Sequence, residues 1–450
     1  MVNHAVWSLI VIFLGIVFII ISTSKVKLHT FFVLIIASYL VGLLSGMPLN
    51  DIVESISKGF GDTLSSIGIV IAAGTVIAVF LERSNGALSI SQALLRVFRK
   101  SRTPLSMAIT GYLVSIAVFC DSGFVILSPL NKALAKETKI SLVTYAVALS
   151  LGLYSTHTFV PPTPGPLASA GILGADTGSV IILGLIVAGI STLIGYVFSI
   201  FYASKFEVKI NLRENYEETK MDSFKLPSPI IALSPIIVPI LLIVLKSFSN
   251  LPVHPLGTGF LKSLVDFFGH PVTALMMGVF FSFILAPNFK EPIIGHRGWV
   301  GEGLANAAMI ILITGAGGSL GTVLRNSPIM DFLTYYLLRG QLTIFLPFLL
   351  AAVLKTAQGS STVAMVTTAS MIAPILGPLG LSSPIGRVLA VLSIGAGAMI
   401  ISHVNDSYFW VVSQLSNMDV TTAYKTHTVG TLITGVSSFI IVLVLTLILL

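Results

Sequence analysis

The chain has 450 residues, of which 55% are hydrophobic and only 10% charged. A soluble domain carries about 25% charged residues, so a soluble enzyme of this size is excluded. A nucleic-acid partner is excluded too: the net charge is +7, but the 25 Lys and Arg sit mostly in short loops between long apolar runs, the charge pattern of a membrane protein.

Crossing a bilayer takes about 20 mostly apolar residues, and the first such runs place spans near 5–23, 29–46 and 60–81. The first has no basic leader and a second span follows at once, so it reads as a retained helix and not a signal peptide. Residues 88–100 have the amphipathic, basic character of a helix lying on the inner surface. Residues 104–135 are apolar but interrupted by Cys120-Asp121-Ser122-Gly123. Each arm is too short to cross, so a hairpin that dips to mid-membrane and returns is expected. The span 142–160 ends in Thr156-His157-Thr158 and then Pro161-Pro162-Thr163-Pro164-Gly165-Pro166. Four prolines in six residues cannot continue a helix. After a span at 178–203 comes the one sizeable polar segment, 204–228, read as a cytoplasmic linker. Spans near 229–247, 271–287 and 303–324 follow, with a second surface helix expected over 329–338. A second hairpin, 343–376, is interrupted at Gln358-Gly359-Ser360-Ser361-Thr362. The span 386–403 breaks at Ser402-His403-Val404-Asn405-Asp406-Ser407, and 428–449 closes the chain.

The linker separates residues 1–203 from 229–450, and the two segments echo each other. Gly59-Phe60-Gly61 answers Gly301-Glu302-Gly303, hairpin answers hairpin, and Ser155-Thr156-His157 answers Ile401-Ser402-His403. Five spans plus a hairpin in each half invert the second half. The expected fold is an all-α polytopic membrane protein of two inverted repeats, with about ten transmembrane helices and two re-entrant hairpins, as in secondary transporters. With the N-terminus outside, most Lys and Arg fall inside, which puts both termini outside.

Asp121 and Asp406 are the only carboxylates this layout places near mid-membrane. An ionisable group at that depth is costly and is a functional candidate by default; desolvation would let either carry a proton. The plainer reading is that each caps a helix end and stays ionised. His157 and His403 occupy matching places and are further proton-coupling candidates, or else they satisfy unwound backbone. The substrate-binding set is completed by Ser122, Gly123, Thr158, Thr163, Gln358, Gly359, Ser360, Ser361, Thr362, Asn405 and Ser407. Hydroxyls also cap broken helices. Half-helix N-termini favour an anion, so the set suits a small carboxylate bearing hydroxyl groups. No metal site is expected, since no third Cys or His ligand lies near the histidine pair, and the lone Cys120 excludes a disulfide framework. Walker A and His-Glu-x-x-His motifs are missing from the sequence, so neither an enzyme nor a cofactor is expected. The glycine cluster Thr314–Gly321 lies inside a span and reads as close helix packing.

Several of these segments together resemble the gluconate permease family of proton symporters, within the ion-transporter superfamily. They are Phe124–Leu130, Pro161–Pro166, Thr314–Gly321, Ala357–Ala364 and Ser402–Ser407. The resemblance implies a bacterial inner-membrane protein that takes up a sugar acid, or a related hydroxy or amino acid, coupled to protons. It also implies a homodimer whose hairpin-bearing domains slide against a scaffold, an elevator motion. The substrate region carried over comprises Asp121–Gly123, His157 and the break after it, Gln358–Thr362, His403 and Asn405–Ser407. The sequence departs from the family pattern at Ser122, Thr163 and Lys355, all around that region. Sodium coupling to a carboxylate substrate remains an alternative, and a passive anion channel is a further one.

Overall fold

A computed structural model describes residues 2–97, 103–208, 226–250, 259–286, 293, 295, 297–328 and 343–450. Among these every regular element is a helix. The surface helix expected over 329–338 and most of the linker lie outside the described residues.

In chain order the helices are α1 (Val2–Ser24), α2 (Thr30–Leu44), α3 (Leu49–Arg83), α4 (Gly86–Val97), α5 (Thr103–Val114), α6 (Cys120–Thr138), α7 (Leu142–Phe159), α8 (Pro164–Leu173) and α9 (Thr177–Phe201). They continue as α10 (Pro229–Ser249), α11 (Phe260–Phe268), α12 (Pro271–Ser282), α13 (Trp299–Asn326), α14 (Phe345–Gln358), α15 (Ser361–Ile372), α16 (Pro384–Met399), α17 (Ser407–Leu415), α18 (Val420–Ala423) and α19 (Val429–Leu449). Five described helices, counting α18 through α19 as one, are long and apolar enough to cross a bilayer, and α11 with α12 makes a sixth only as a pair bent by 66°.

The expected spans are met unevenly. The span expected from residue 60 begins at Leu49, because Asp51, Glu54 and Lys58 ride on the exposed face while Ile52, Ser55 and Ile56 are buried. Hydropathy alone misses such polar opening turns. The runs expected as whole spans over 142–160 and 386–403 are half-helices of 18 and 16 residues. At 1.5 Å per residue they reach about 24–27 Å, short of a roughly 30 Å hydrocarbon core.

The two longest helices, α3 and α13, pack along one another. Ser55 meets Asn326, Gly59 faces Gly318, and Arg83 meets Glu302, so they run antiparallel. A Cβ on Gly59 would lie 2.5 Å from the Gly318 carbonyl. The glycines therefore set the close approach of the two backbones.

Each segment expected as a hairpin is a pair of helices joined by a short turn. In the first, α5 and α6 are joined by a turn over 115–119, closed by a hydrogen bond from Ser115 Oγ to the Val118 carbonyl. The expected tip, 120–123, is thus already the first turn of α6. Asp121 and Ser122 suit that position, where the free N–H groups and the helix dipole favour acidic and hydroxyl side chains. In the second hairpin, α14 and α15 are joined by Gly359 and Ser360 alone. Gly359 has φ +83°, a left-handed conformation that favours glycine.

Candidate functional site

Polar chemistry gathers where the break after α16 meets the two hairpins. Asp406 is the N-cap of α17, and its Oδ1 accepts from the Tyr408 N–H at 3.1 Å. Its Oδ2 accepts from Lys355 Nζ at 2.6 Å and from Ser402 Oγ at 2.5 Å. Lys355 is the last-turn base of α14, with its side chain 0% exposed against 6% for Asp406. A wholly buried cation at that depth persists only with a partner. Lys355 also donates to the Gly359 carbonyl at 2.5 Å, and its Nζ lies 5.7 Å from the centre of the Tyr154 ring. Two of its three N–H donors are thereby placed on oxygen.

A chain of hydrogen bonds continues from the carboxylate. Ser402 has one hydroxyl hydrogen and gives it to Asp406, so its contact with His427 Nε2 at 3.1 Å needs the imidazole as donor. The His427 Nδ1 then faces Ser150 Oγ at 3.3 Å, and Tyr408 donates its hydroxyl to the Ser150 carbonyl. His427 is fully buried in a five-residue π-helical segment, Tyr424–Thr428, just before α19. Such π turns are frequent at functional sites.

The first hairpin reaches the same place. Ser407 Oγ donates to Asp121 Oδ2 at 3.4 Å, a long bond, while Asp121 Oδ1 is buried with no hydrogen-bond partner. Asp121 is not the cap of its helix; that position is held by Phe119. The capping reading therefore fits Asp406 and not Asp121. Two other expected site residues share this trait: His157 Nδ1 and both polar atoms of the Gln358 carboxamide are buried without partners.

The remaining expected residues divide. His403 Nε2 donates to the Thr356 carbonyl at 2.9 Å, and Asn405 Nδ2 donates to the same oxygen at 2.8 Å and to Ala357 at 3.2 Å. Both stitch the second break to the end of α14. Gly359 touches the same loop: a Cβ there would lie 2.0 Å from the Asn405 carbonyl. Ser360 caps α15 by accepting from the Val363 N–H, and Ser361 and Thr362 open that helix. Gly123 is buried beside Leu153, and Ser122 faces Glu82, half-buried near the end of α3. Thr158 bonds back to the Tyr154 and Ser155 carbonyls. Thr163 bonds to the Val160 carbonyl and lines a cavity of about 10 Å³ with Gly74, Thr75, Ala117 and Phe119. The matched histidines are not equivalent: His157 lies within α7, stacked on Tyr154, whereas His403 lies in the loop beyond α16.

Sequence reasoning missed Lys355 as the partner of Asp406, and it missed Tyr154, Tyr408, Ser150 and His427 altogether. A lysine inside an apolar hairpin arm was a readable signal. Among the described residues no group of three or more His, Cys, Asp and Glu side chains gathers in a metal-holding arrangement.

The chain has relatives along almost its whole length. A family model described as GntP family permease matches residues 7–448. A gluconate permease of Pseudomonas aeruginosa is 35% identical over 99% of this chain and 99% of its own length. The D-serine transporter DsdX of Escherichia coli is 33% identical over 96% of this chain and 97% of its own. Among solved structures, MtrF of Neisseria gonorrhoeae, described as one of a class of antimetabolite efflux pumps, aligns with a TM-score of 0.63. It is 14% identical and covers 93% of this chain and 96% of that one. The YdaH transporter of Alcanivorax borkumensis aligns with a TM-score of 0.60 at 16% identity, over 88% of each chain. At those identities the likeness is one of fold.

Proposed function

The chain belongs to the GntP permease family, and from that premise we propose that it is a secondary active transporter that takes up a small organic acid together with protons. It is a multi-pass membrane permease and not an enzyme. The substrate is a gluconate-like sugar acid or a related hydroxy or amino acid, read by the hairpin ends and by the break after α16. The full site takes in Asp121–Gly123, His157, Thr158, Thr163, Gln358–Thr362, His403 and Asn405–Ser407. Thr158 and Thr163 enter it as the wall of the first break, since their hydroxyls are used by their own backbone. Asp121, Asp406, His157 and His403 are the candidates for carrying the coupling proton.

The observation that carries this reading is the meeting of Asp121 and Ser407. It brings the first hairpin to the same helix break that Lys355 of the second hairpin reaches; Ser407 is exposed there, while Asp121 Oδ1 and the Gln358 carboxamide are buried without partners. Buried polar groups are ordinarily bonded, and a polar substrate would bond these. The antiparallel pair α3 and α13 supports a rigid scaffold, and the short, paired arms support a moving unit. On this reading residues 1–203 and 229–450 are inverted repeats joined by the linker 204–228, giving about ten spans and two re-entrant hairpins. The family resemblance supports alternating access by an elevator motion, a homodimer, and a bacterial inner membrane with both termini outside.

Uptake of a labelled panel of sugar, hydroxy and amino acids into vesicles tests this. A pH gradient should drive accumulation, and a protonophore should collapse it. Accumulation that follows a sodium gradient would transfer the coupling to Na⁺, and downhill flux indifferent to both would make the chain a passive pore.

A further inference from the structure

The buried pair Lys355–Asp406 holds one cation and one anion that neutralise each other. An anionic substrate entering this region needs a positive partner, and among the described residues Lys355 is the fully buried cation of the site. We propose that Lys355 receives the substrate carboxylate, and that Asp406 is an internal stand-in that occupies Lys355 until a proton releases it. The proposal rests on the transporter reading above.

The exchange balances. One proton from the aqueous side binds Asp406, and the ion pair between Oδ2 and Lys355 Nζ breaks. A new ion pair forms between Lys355 and the substrate carboxylate. Lys355 is never left buried and unpaired, the state that makes broken buried pairs costly. Proton and carboxylate load together because each alone would strand a charge. The neutral Asp406 keeps its cap bond from Tyr408, and Ser402 Oγ goes on accepting from His427 Nε2. Gln358 lies three residues after Lys355, on the same side of α14. Its unpartnered carboxamide, with Asp121 Oδ1, is placed to read a hydroxyl or amino group next to that carboxylate.

The groups sharing the surroundings of Asp406 come from every neighbouring element. They are Lys355 on α14, Asp121 and Cys120 on α6, Tyr154 and His157 on α7, Tyr408 on α17 and His427 before α19. Of these only Lys355 carries a fixed positive charge. A monoanionic substrate moving with one proton then transfers no net charge, and a zwitterion transfers one.

The test uses the full chain in proteoliposomes, with labelled D-gluconate and, in parallel, D-serine as probes. Asp406→Asn leaves Lys355 buried without its partner until a carboxylate arrives, so uphill accumulation should fall to the equilibrium ratio and added probe should raise the unfolding temperature more than it does for the unaltered protein. Lys355→Met combined with Asp406→Asn removes both charges, and exchange of internal for external probe should fall about 100-fold with the unfolding temperature nearly unchanged. Lys355→Arg should retain exchange with an altered KM, which keeps the test decisive if the double variant folds poorly. An inside-negative potential should drive D-serine accumulation and leave D-gluconate unmoved. If the double variant exchanges normally, or the Arg variant loses as much as the Met one, the pair is merely structural; the proposal then fails and the transporter reading stands. If the unaltered protein moves neither probe under any gradient, the substrate class fails and takes the proposal with it.

Discussion

At the first break, between Phe159 and Pro164, the hydroxyls turn back on their own chain. Thr158 bonds to Tyr154 and Ser155, and Thr163 bonds to Val160. At the second, between Met399 and Ser407, the polar groups reach outward. His403 and Asn405 bond to the end of α14, Asp406 pairs with Lys355, and Ser407 touches Asp121. Proline accounts for much of the difference. Three prolines between Pro161 and Pro164 remove the backbone donors that would need partners. The second break contains no proline, so its N–H and C=O groups and the side chains around them bond across to other elements. Two segments that echo each other in sequence thus divide the labour: one is a packed hinge between half-helices, the other a polar junction.

The largest effects are expected from neutralising the carboxylates at the junction. Asp121→Asn and Asp406→Asn should each reduce uphill accumulation to the ratio reached by passive equilibration, read as steady-state uptake into energised vesicles. If both variants still concentrate substrate normally, the junction is not where coupling occurs, and the first break regains its claim. His157 is the one polar group of α7 near the first break with a buried nitrogen left unpartnered. His157→Phe therefore asks whether α7 contributes more than packing; a loss well below that of Asp121→Asn is expected.

A second, smaller effect sharpens the geometry of the junction. Gly359 holds a left-handed turn against the Asn405 carbonyl. Gly359→Ala adds a Cβ where there is no room and strains the backbone, at a cost of about 1–3 kcal/mol. It should lower the unfolding temperature and reduce uptake about tenfold, because the second hairpin must withdraw from the loop that carries Asp406. An alanine variant with unchanged uptake and melting would mean that the hairpin end and the loop need not touch during transport.

The legible and illegible parts of this molecule follow from the range of the interactions. The interruption of both helix pairs was readable because polar residues break an apolar run, and the proline break because proline lacks a donor. Asp121 and Asp406 stood out as charges in apolar surroundings. Lys355 stood in view as well, but its meaning depends on Asp406, 51 residues further on. His427 was unreadable because the run after it looked like an ordinary span, and a π-helical turn leaves no mark in hydropathy. The tip expected at 120–123 lies at 115–119 instead, because Asp121 and Ser122 are as much at home in a helix's first turn as in a bend. The echo between Thr156-His157 and Ser402-His403 was real as sequence and misleading as geometry, since one histidine lies inside its helix and the other beyond it.

The smallest effects lie away from the junction, and they complete the contrast. Thr163→Val deletes a hydroxyl that serves only the Val160 carbonyl, at a cost of about 1 kcal/mol. Uptake should stay within about threefold, with a small drop in melting temperature. A loss as large as that of Asp121→Asn would mean that this hydroxyl leaves its backbone during transport and meets the substrate, so that the first break is polar in another state. Lys262→Ala provides the floor. Lys262 pairs with Asp266 four residues on and bonds Asn250, at the short helix α11 and far in sequence from both breaks. An i,i+4 pair of this kind contributes roughly 0.5 kcal/mol or less. Uptake rate, accumulation ratio and melting should all match the unaltered chain, because removing this charge changes neither a broken helix nor a hairpin end.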